Sequence, residues 1–207
     1  MTPLNQPEHV RPLVLGSTSA YRRELLARLR IPFEVISPDV DETPRPQETP
    51  NNLARRLALE KARSVALRHP GAVVIGSDQV ADLAGQALGK PGNHELAVRQ
   101  LQRMRGHVVI FQTAVAVVCL EAGFEAVELA SVRVKFRELA DTEIESYLRI
   151  EQPYDCAGSA KSEGLGIALL ETIDSDDPTA LIGLPLIRTC RLIRSAGIEL
   201  FSLKPTP

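Results

Sequence analysis

The sequence predicts an α/β fold, on three observations. The run Ala72-Val73-Val74-Ile75 holds four apolar residues, three of them β-branched, as in a short strand buried on both faces within a parallel sheet. Segments with apolar residues at helical spacing lie between the strand-like runs, at Ser17–Leu29, Thr49–Arg68 and Asn93–Met104. Two long β-rich segments, Val108–Val118 and Val127–Phe136, are joined across Glu121-Ala122-Gly123 and read as a strand pair.

The 207 residues suffice for one full core, with 44% hydrophobic and 24% charged residues. Residues 1–10 are polar with two prolines and read as a loose leader; residues 11–207 read as one domain. A formal charge of −2 gives no support for binding a nucleic-acid polymer or an acidic membrane, so basic residues with a role must be gathered in a pocket. The three cysteines, Cys119, Cys156 and Cys190, are odd in number, far apart and without a Cys-x-x-Cys pair, which predicts reduced thiols in a reducing compartment. No apolar run reaches the length of a membrane span and no signal-peptide core is present, so the expected location is cytoplasmic.

The elements follow in order. Leu13-Val14-Leu15 is a minimal strand ended by Gly16. After it, Ser17-Thr18-Ser19 offers caps for a helix with Leu25, Leu26 and Leu29 at helical spacing. Arg22 and Arg23 in the first turn oppose the helix dipole. They suit an anion site, although Arg23 reads better as a solvated side chain. Ile31–Ile36 is a second strand, and it leads into Asp39-Val40-Asp41-Glu42, three acids in four residues. Such acids are hard oxygen ligands for Mg²⁺ or Mn²⁺ or simply a charged loop. Thr49-Pro50 starts a helix, cap followed by first-turn proline, with Leu53, Leu57, Ala58, Lys61, Ala62, Val65 and Ala66 along it. Lys61 adjoins the apolar stripe, so its head either snorkels to solvent or reaches a crevice.

The strand at Ala72–Ile75 is expected to stop at Gly76. Asp78 then either points into a crevice at a strand end or belongs to a polar turn. Gly85–Pro91 is not a phosphate loop of the Walker type, because Gly85 and Gly89 enclose three residues and Pro91 follows Lys90. Asn93 caps a helix to about Met104. Thr142-Glu143-Ile144-Glu145 has the form of a capping box. Beyond it come a loop at Tyr154–Gly166, a strand at Gly166–Leu170, an acidic turn at Asp174–Pro178, and a closing helix at Pro185–Ser195 with Leu186, Cys190 and Ile193 inward.

The motifs Ser17-Thr18-Ser19-x-x-Arg22, Val40-Asp41-Glu42, Glu60-Lys61-Ala62, Gly76-Ser77-Asp78-Gln79-Val80 and Gly89-Lys90-Pro91, in this order, resemble the Maf family of nucleoside triphosphate pyrophosphatases. Cys156-Ala157-Gly158-Ser159-x-Lys161-Ser162-Glu163-Gly164 is similar to its YceF-type branch, which hydrolyses 7-methyl-GTP. The resemblance spans about residues 12–200. It implies an elongated mixed sheet flanked by helices, related to the inosine triphosphate pyrophosphatases, and a homodimer. Asp78 would be the proton acceptor. Tyr21, Gln79 and Glu163 would select the base, while Ser17, Arg22, Glu42, Lys61 and Lys90 match the residues lining the phosphate site. Three positions depart from the family pattern: Gly16 stands where Ala is usual, Ala20 where Pro is usual, and Tyr21 where this branch often has Trp.

The implied reaction splits the bond between the α- and β-phosphates, releasing a nucleoside monophosphate and pyrophosphate. It calls for an activated water, charge neutralisation and a divalent cation, with Glu42 the first choice of ligand and Asp78 acting as base, metal ligand or both. Methylating N7 makes guanine cationic, which a carboxylate (Glu163) and an aromatic face (Tyr21) favour. The readings competing with 7-methyl-GTP are a pyrophosphatase for dTTP and UTP and a nucleotide-responsive regulator of septum formation without turnover.

Overall fold

The computed structural model describes residues 11–201; the expected leader, residues 1–10, lies outside them. The elements run β1 (Leu13–Gly16), α1 (Ala20–Ala27), β2 (Glu34–Ile36), α2 (Pro50–Ala66), β3 (Val73–Leu83), β4 (Gln86–Leu88), α3 (His94–Met104), β5 (Val108–Cys119), β6 (Phe124–Phe136), α4 (Asp141–Glu151), β7 (Leu170–Asp174) and α5 (Leu186–Ser195). The strands form one mixed sheet in the order β2-β1-β3-β5-β6-β7, with β4 paired to β3 off that path. β2, β1 and β3 are parallel and the remaining pairs antiparallel. This is the α/β mixed sheet flanked by helices that the motifs imply. No described helix is long and apolar enough to cross a membrane.

Side-chain caps start three helices. Ser19 Oγ accepts from the Arg22 N–H, Thr49 Oγ1 from the Asn52 N–H, and Asn93 Oδ1 from the Leu96 N–H. On α2 the apolar stripe read from the sequence is buried in full, Lys61 included, and it covers one face of the sheet together with Val14, Val74 and Val80. α1 and α5 cover the opposite face over Val73 and Ile75. The three thiols are free: Cys119 is buried, and Cys156 and Cys190 are half-buried.

Four local expectations are corrected. β3 does not stop at Gly76 but continues to Leu83, because β5 supplies an antiparallel ladder from Val74↔Val118 to Asp82↔Ile110. The helix expected at Thr142 begins at Asp141. Glu143 Oε2 reaches back to the Ala140 N–H at 2.8 Å, and alanine has no side-chain acceptor to complete the box. Gly166–Leu170 is not a strand: Leu165–Leu169 forms a 3₁₀ turn, and β7 starts at Leu170. In α5 the buried residues are Thr189, Leu192 and Ile193, with Leu186 and Cys190 only half-buried.

Candidate active site

The site lies at a gap in the sheet. β1 pairs with β3 only as far as Gly16↔Gly76, and β4 joins β3 on the same edge from Ala81↔Leu88 onward. Between them Ser77, Asp78, Gln79 and Val80 have a strand neighbour on the β5 side alone. β1 runs out into Ser17 and the first turn of α1 on one side of the gap, and β4 into Gly89-Lys90 on the other. Elements distant in sequence therefore bring Ser17, Arg22, Asp78 and Lys90 to one opening. The strand end that matters is that of β1, with Asp78 in the middle of β3.

Alternation along β3 separates the chemistry onto two faces. Gly76, Asp78 and Val80 face α2. A Cβ at Gly76 would lie 2.2 Å from the Ala58 carbonyl oxygen and 2.6 Å from the Ala62 nitrogen, so only glycine lets α2 come this close. The close approach puts Lys61 over the gap. Its Nζ is 2.7 Å from Asp78 Oδ1 and 2.6 Å from Glu42 Oε1, and both Lys61 and Asp78 are buried. Burial alone would raise the Glu42 carboxyl, but Lys61, Lys90 and Arg22 outweigh it and hold Glu42 below the usual carboxylate range. Arg22 donates from Nε to the Gly183 carbonyl at 2.8 Å. Its pKa is drawn down by desolvation against the opposing pull of Asp78 and Glu42. Ser17 is buried and its Oγ accepts from the Ser19 N–H at 3.1 Å. Lys90 and Arg23 are exposed. Asp39 and Asp41 do not join the cluster; the Asp41 carboxylate accepts instead from the Thr43 N–H at 2.9 Å.

Ser77 and Gln79 face the other way and hold a segment that the sequence did not single out. Ser77 Oγ meets the carbonyls of Ala114 at 2.7 Å and Gly183 at 3.0 Å. Gln79 Nε2 meets the Ala180 and Leu181 carbonyls at 3.0 and 2.9 Å and Thr113 Oγ1 at 3.0 Å. The amide nitrogen is thus committed to the scaffold, and Oε1 takes no part in these contacts. Asp177, fully buried, accepts from the Arg188 N–H at the start of α5 and ties down the same segment. An acidic turn was the only signal of this strap in the sequence.

A second cluster surrounds Tyr21, one residue before Arg22 and so turned about 100° around the α1 axis. Cys156 Sγ lies 4.0 Å from the Tyr21 hydroxyl, and Lys161 Nζ lies 5.7 Å from the ring centroid. Desolvation first, then Asp155, pushes the Cys156 thiol up to about 12, and Glu163 adds to the shift. Tyr21 is raised by burial and by Cys156, Asp155 and Glu163. Tyr147 is raised by burial, with Glu151 and Glu163 contributing. In all three burial is the leading cause, and the nearby acid Glu163 adds to each. Glu163 remains open to solvent, yet partial desolvation raises its carboxyl, against the pull of Lys161. Beside it opens an apolar cleft of about 320 Å³ walled by Val132, Ile167, Ile173, Leu181 and Ile182.

The Maf-like protein family model matches residues 12–196. The chain belongs to that family. It is 74% identical to a 7-methyl-GTP pyrophosphatase of Polaromonas sp. over 93% of this chain and 88% of that protein. It is 72% identical to one of Albidiferax ferrireducens over 91% and 95%, and 61% identical to one of Aromatoleum aromaticum over 91% and 97%. The motifs quoted above all fall within the family match.

Proposed function

We propose that the protein hydrolyses 7-methyl-GTP to 7-methyl-GMP and pyrophosphate, removing a modified nucleotide from the cytoplasmic pool. One observation carries this reading: the opening has two ends of opposite charge. Arg22, Lys61 and Lys90 outnumber Glu42 and Asp78 at the gap. On the Tyr21 side Asp155 and Glu163 are the acids that act on the ring hydroxyl, and the Lys161 charge is met by Glu151 at 2.9 Å. A ligand with an anionic triphosphate and a cationic ring matches both ends, and Tyr21 and Arg22, adjacent in the first turn of α1, belong one to each. The names of the relatives point to the same substrate.

In this reading Lys61, Arg22 and Lys90 neutralise the phosphate oxygens, and Ser17 donates its hydroxyl to one of them. Asp78 holds Lys61 through Oδ1. Its Oδ2 takes a proton from water as that water's oxygen bonds to the α-phosphorus and the bond to the β-phosphate oxygen breaks, releasing pyrophosphate. Glu42 and Asp78 would hold a divalent cation, Mg²⁺ or Mn²⁺, because they are hard oxygen donors brought close together, each with one oxygen on Lys61 Nζ and the other not bonded to it. Among the described residues no set of three or more His, Cys, Asp or Glu side chains forms a cage. Two carboxylates completed by substrate phosphates are the usual Mg²⁺ arrangement. When bound, the ion would stabilise charge on the leaving pyrophosphate. Tyr21 and Glu163 receive the cationic ring, and Gln79 Oε1 accepts from its N–H groups. The family resemblance adds a homodimer, which sedimentation would check.

Product analysis with 7-methyl-GTP tests this reading. Expected are 7-methyl-GMP and pyrophosphate, loss of activity with a chelator, and a fall of about 10²–10⁴-fold in Asp78→Asn. Release of single phosphates would replace the reaction class, and nucleotide binding without turnover would favour the regulatory reading.

A further inference from the structure

Lys161 places a positive charge where the proposed substrate brings another. Its Nζ sits 5.7 Å from the centroid of the Tyr21 ring, and it acts on Glu163 electrostatically. A free ammonium there would compete with a cationic base for the same aromatic face and the same carboxylate. It is not free. Glu151, at the last turn of α4, holds it at 2.9 Å, with the Glu151 side chain largely buried. Glu151 also accepts from the Leu165 N–H at 2.7 Å. It closes against the chain tightly enough that a Cβ at Gly164 would lie 2.8 Å from its carboxylate oxygens. Both contacts flank Glu163 in sequence, one two residues before it and one two residues after.

We infer that Glu151 is a specificity-determining positioning residue: by pairing with Lys161 and the Leu165 N–H it cancels the lysine charge over Tyr21 and leaves Glu163 free for a cationic base. The inference rests on the proposed reading of the Tyr21 end. It does not follow from any contact of Glu151 with the gap, since Glu151 makes none with Asp78, Lys61 or Arg22. The substitution Glu151→Gln keeps an acceptor for the Leu165 N–H and removes only the charge. Lys161 is then uncompensated and turns to Glu163 and the Tyr21 face. Lys161→Met removes the competing cation and leaves an extra negative charge close by.

The two variants break the same ion pair, but only E151Q should lower the preference for 7-methyl-GTP. That is the outcome a merely structural strut would not give. The measurement is kcat/KM for 7-methyl-GTP and for GTP on wild type, E151Q, K161M and the double variant. In E151Q the preference for 7-methyl-GTP should fall about 3- to 30-fold, through KM, the range of a lost cation–π contact. In K161M it should hold or rise, and in E151Q/K161M it should return close to wild type. A preference that falls in both single variants, or survives in E151Q, overturns the inference and leaves the base reading intact. A wild type that treats both nucleotides alike overturns the base reading, and the inference with it. Should E151Q fail to fold, the sign of the change in K161M decides: a fall contradicts the inference.

Discussion

Lys61 Nζ lies 2.7 Å from Asp78 Oδ1 and 2.6 Å from Glu42 Oε1, so one buried ammonium serves two carboxylates from different elements. The arrangement is asymmetric. Lys61 keeps a partner if Asp78 loses its charge, whereas Asp78 has no second cation in salt-bridge contact among the described residues.

Stability should reflect that asymmetry. Lys61→Met strands the buried Asp78 carboxylate and should cost about 3–5 kcal/mol, the usual result of halving a buried pair. Asp78→Asn should cost clearly less, about 1–2 kcal/mol, because Glu42 still meets the ammonium. Urea unfolding of both variants at pH 7 checks the order. Equal losses would show that Glu42 does not support Lys61 in solution.

The loop that carries Glu42 is pinned to α2 by Arg56, which meets Glu48 at 2.7 and 2.8 Å and the Thr43 carbonyl at 3.1 Å. Arg56 holds the Glu48 carboxyl down to about 2. A depressed carboxyl stabilises the fold above its unfolded value of about 4.3, and that stability is lost as pH falls towards the folded value. Glu48→Gln should therefore be less stable than wild type at pH 7 by about 1–3 kcal/mol after allowance for solvent screening. The two should converge near pH 2. Unfolding curves across this range test it, and a gap that persists at pH 2 would assign the loss to packing.

Gly76 should tolerate no side chain. Gly76→Ala drives a Cβ into the backbone of α2 at Ala58 and Ala62. It should cost about 3 kcal/mol or more, at the upper end of overpacking. It should also displace Lys61 from Asp78, so that any folded fraction turns over poorly. Gly89, with open space around its Cβ position, is the control. Thermal unfolding of both variants makes the comparison, and a mild Gly76→Ala would mean that α2 sits farther from β3 than the structure has it.

The local parts of the site were legible because they are written in adjacent residues: the caps at Ser19, Thr49 and Asn93, the buried stripe bearing Lys61, and the ordered motifs around Asp78. The gap itself was not. It depends on where β1 and β4 each stop against β3, at Gly76 and Ala81, and pairing register is a non-local property. The same holds for Gln79. Its amide nitrogen is taken up by Ala180 and Leu181, about a hundred residues away, so its sequence motif alone could not show which amide atom the scaffold holds. The apolar run Gly166–Leu170 misled because a short apolar run fits a buried turn as well as a strand; the absence of a Cβ at Gly166 lets the chain close on Lys161.

If the Tyr21 end reads a cationic base, kcat/KM for 7-methyl-GTP and GTP on wild type and Glu163→Gln decides it. Glutamine keeps the hydrogen-bonding capacity and removes the charge. Wild type should prefer 7-methyl-GTP, and Glu163→Gln should lose about 10- to 100-fold of that preference, the equivalent of a charged hydrogen bond in a partly desolvated site. GTP hydrolysis should stay nearly constant. Equal losses on both nucleotides would contradict the claim and make Glu163 a support of its loop.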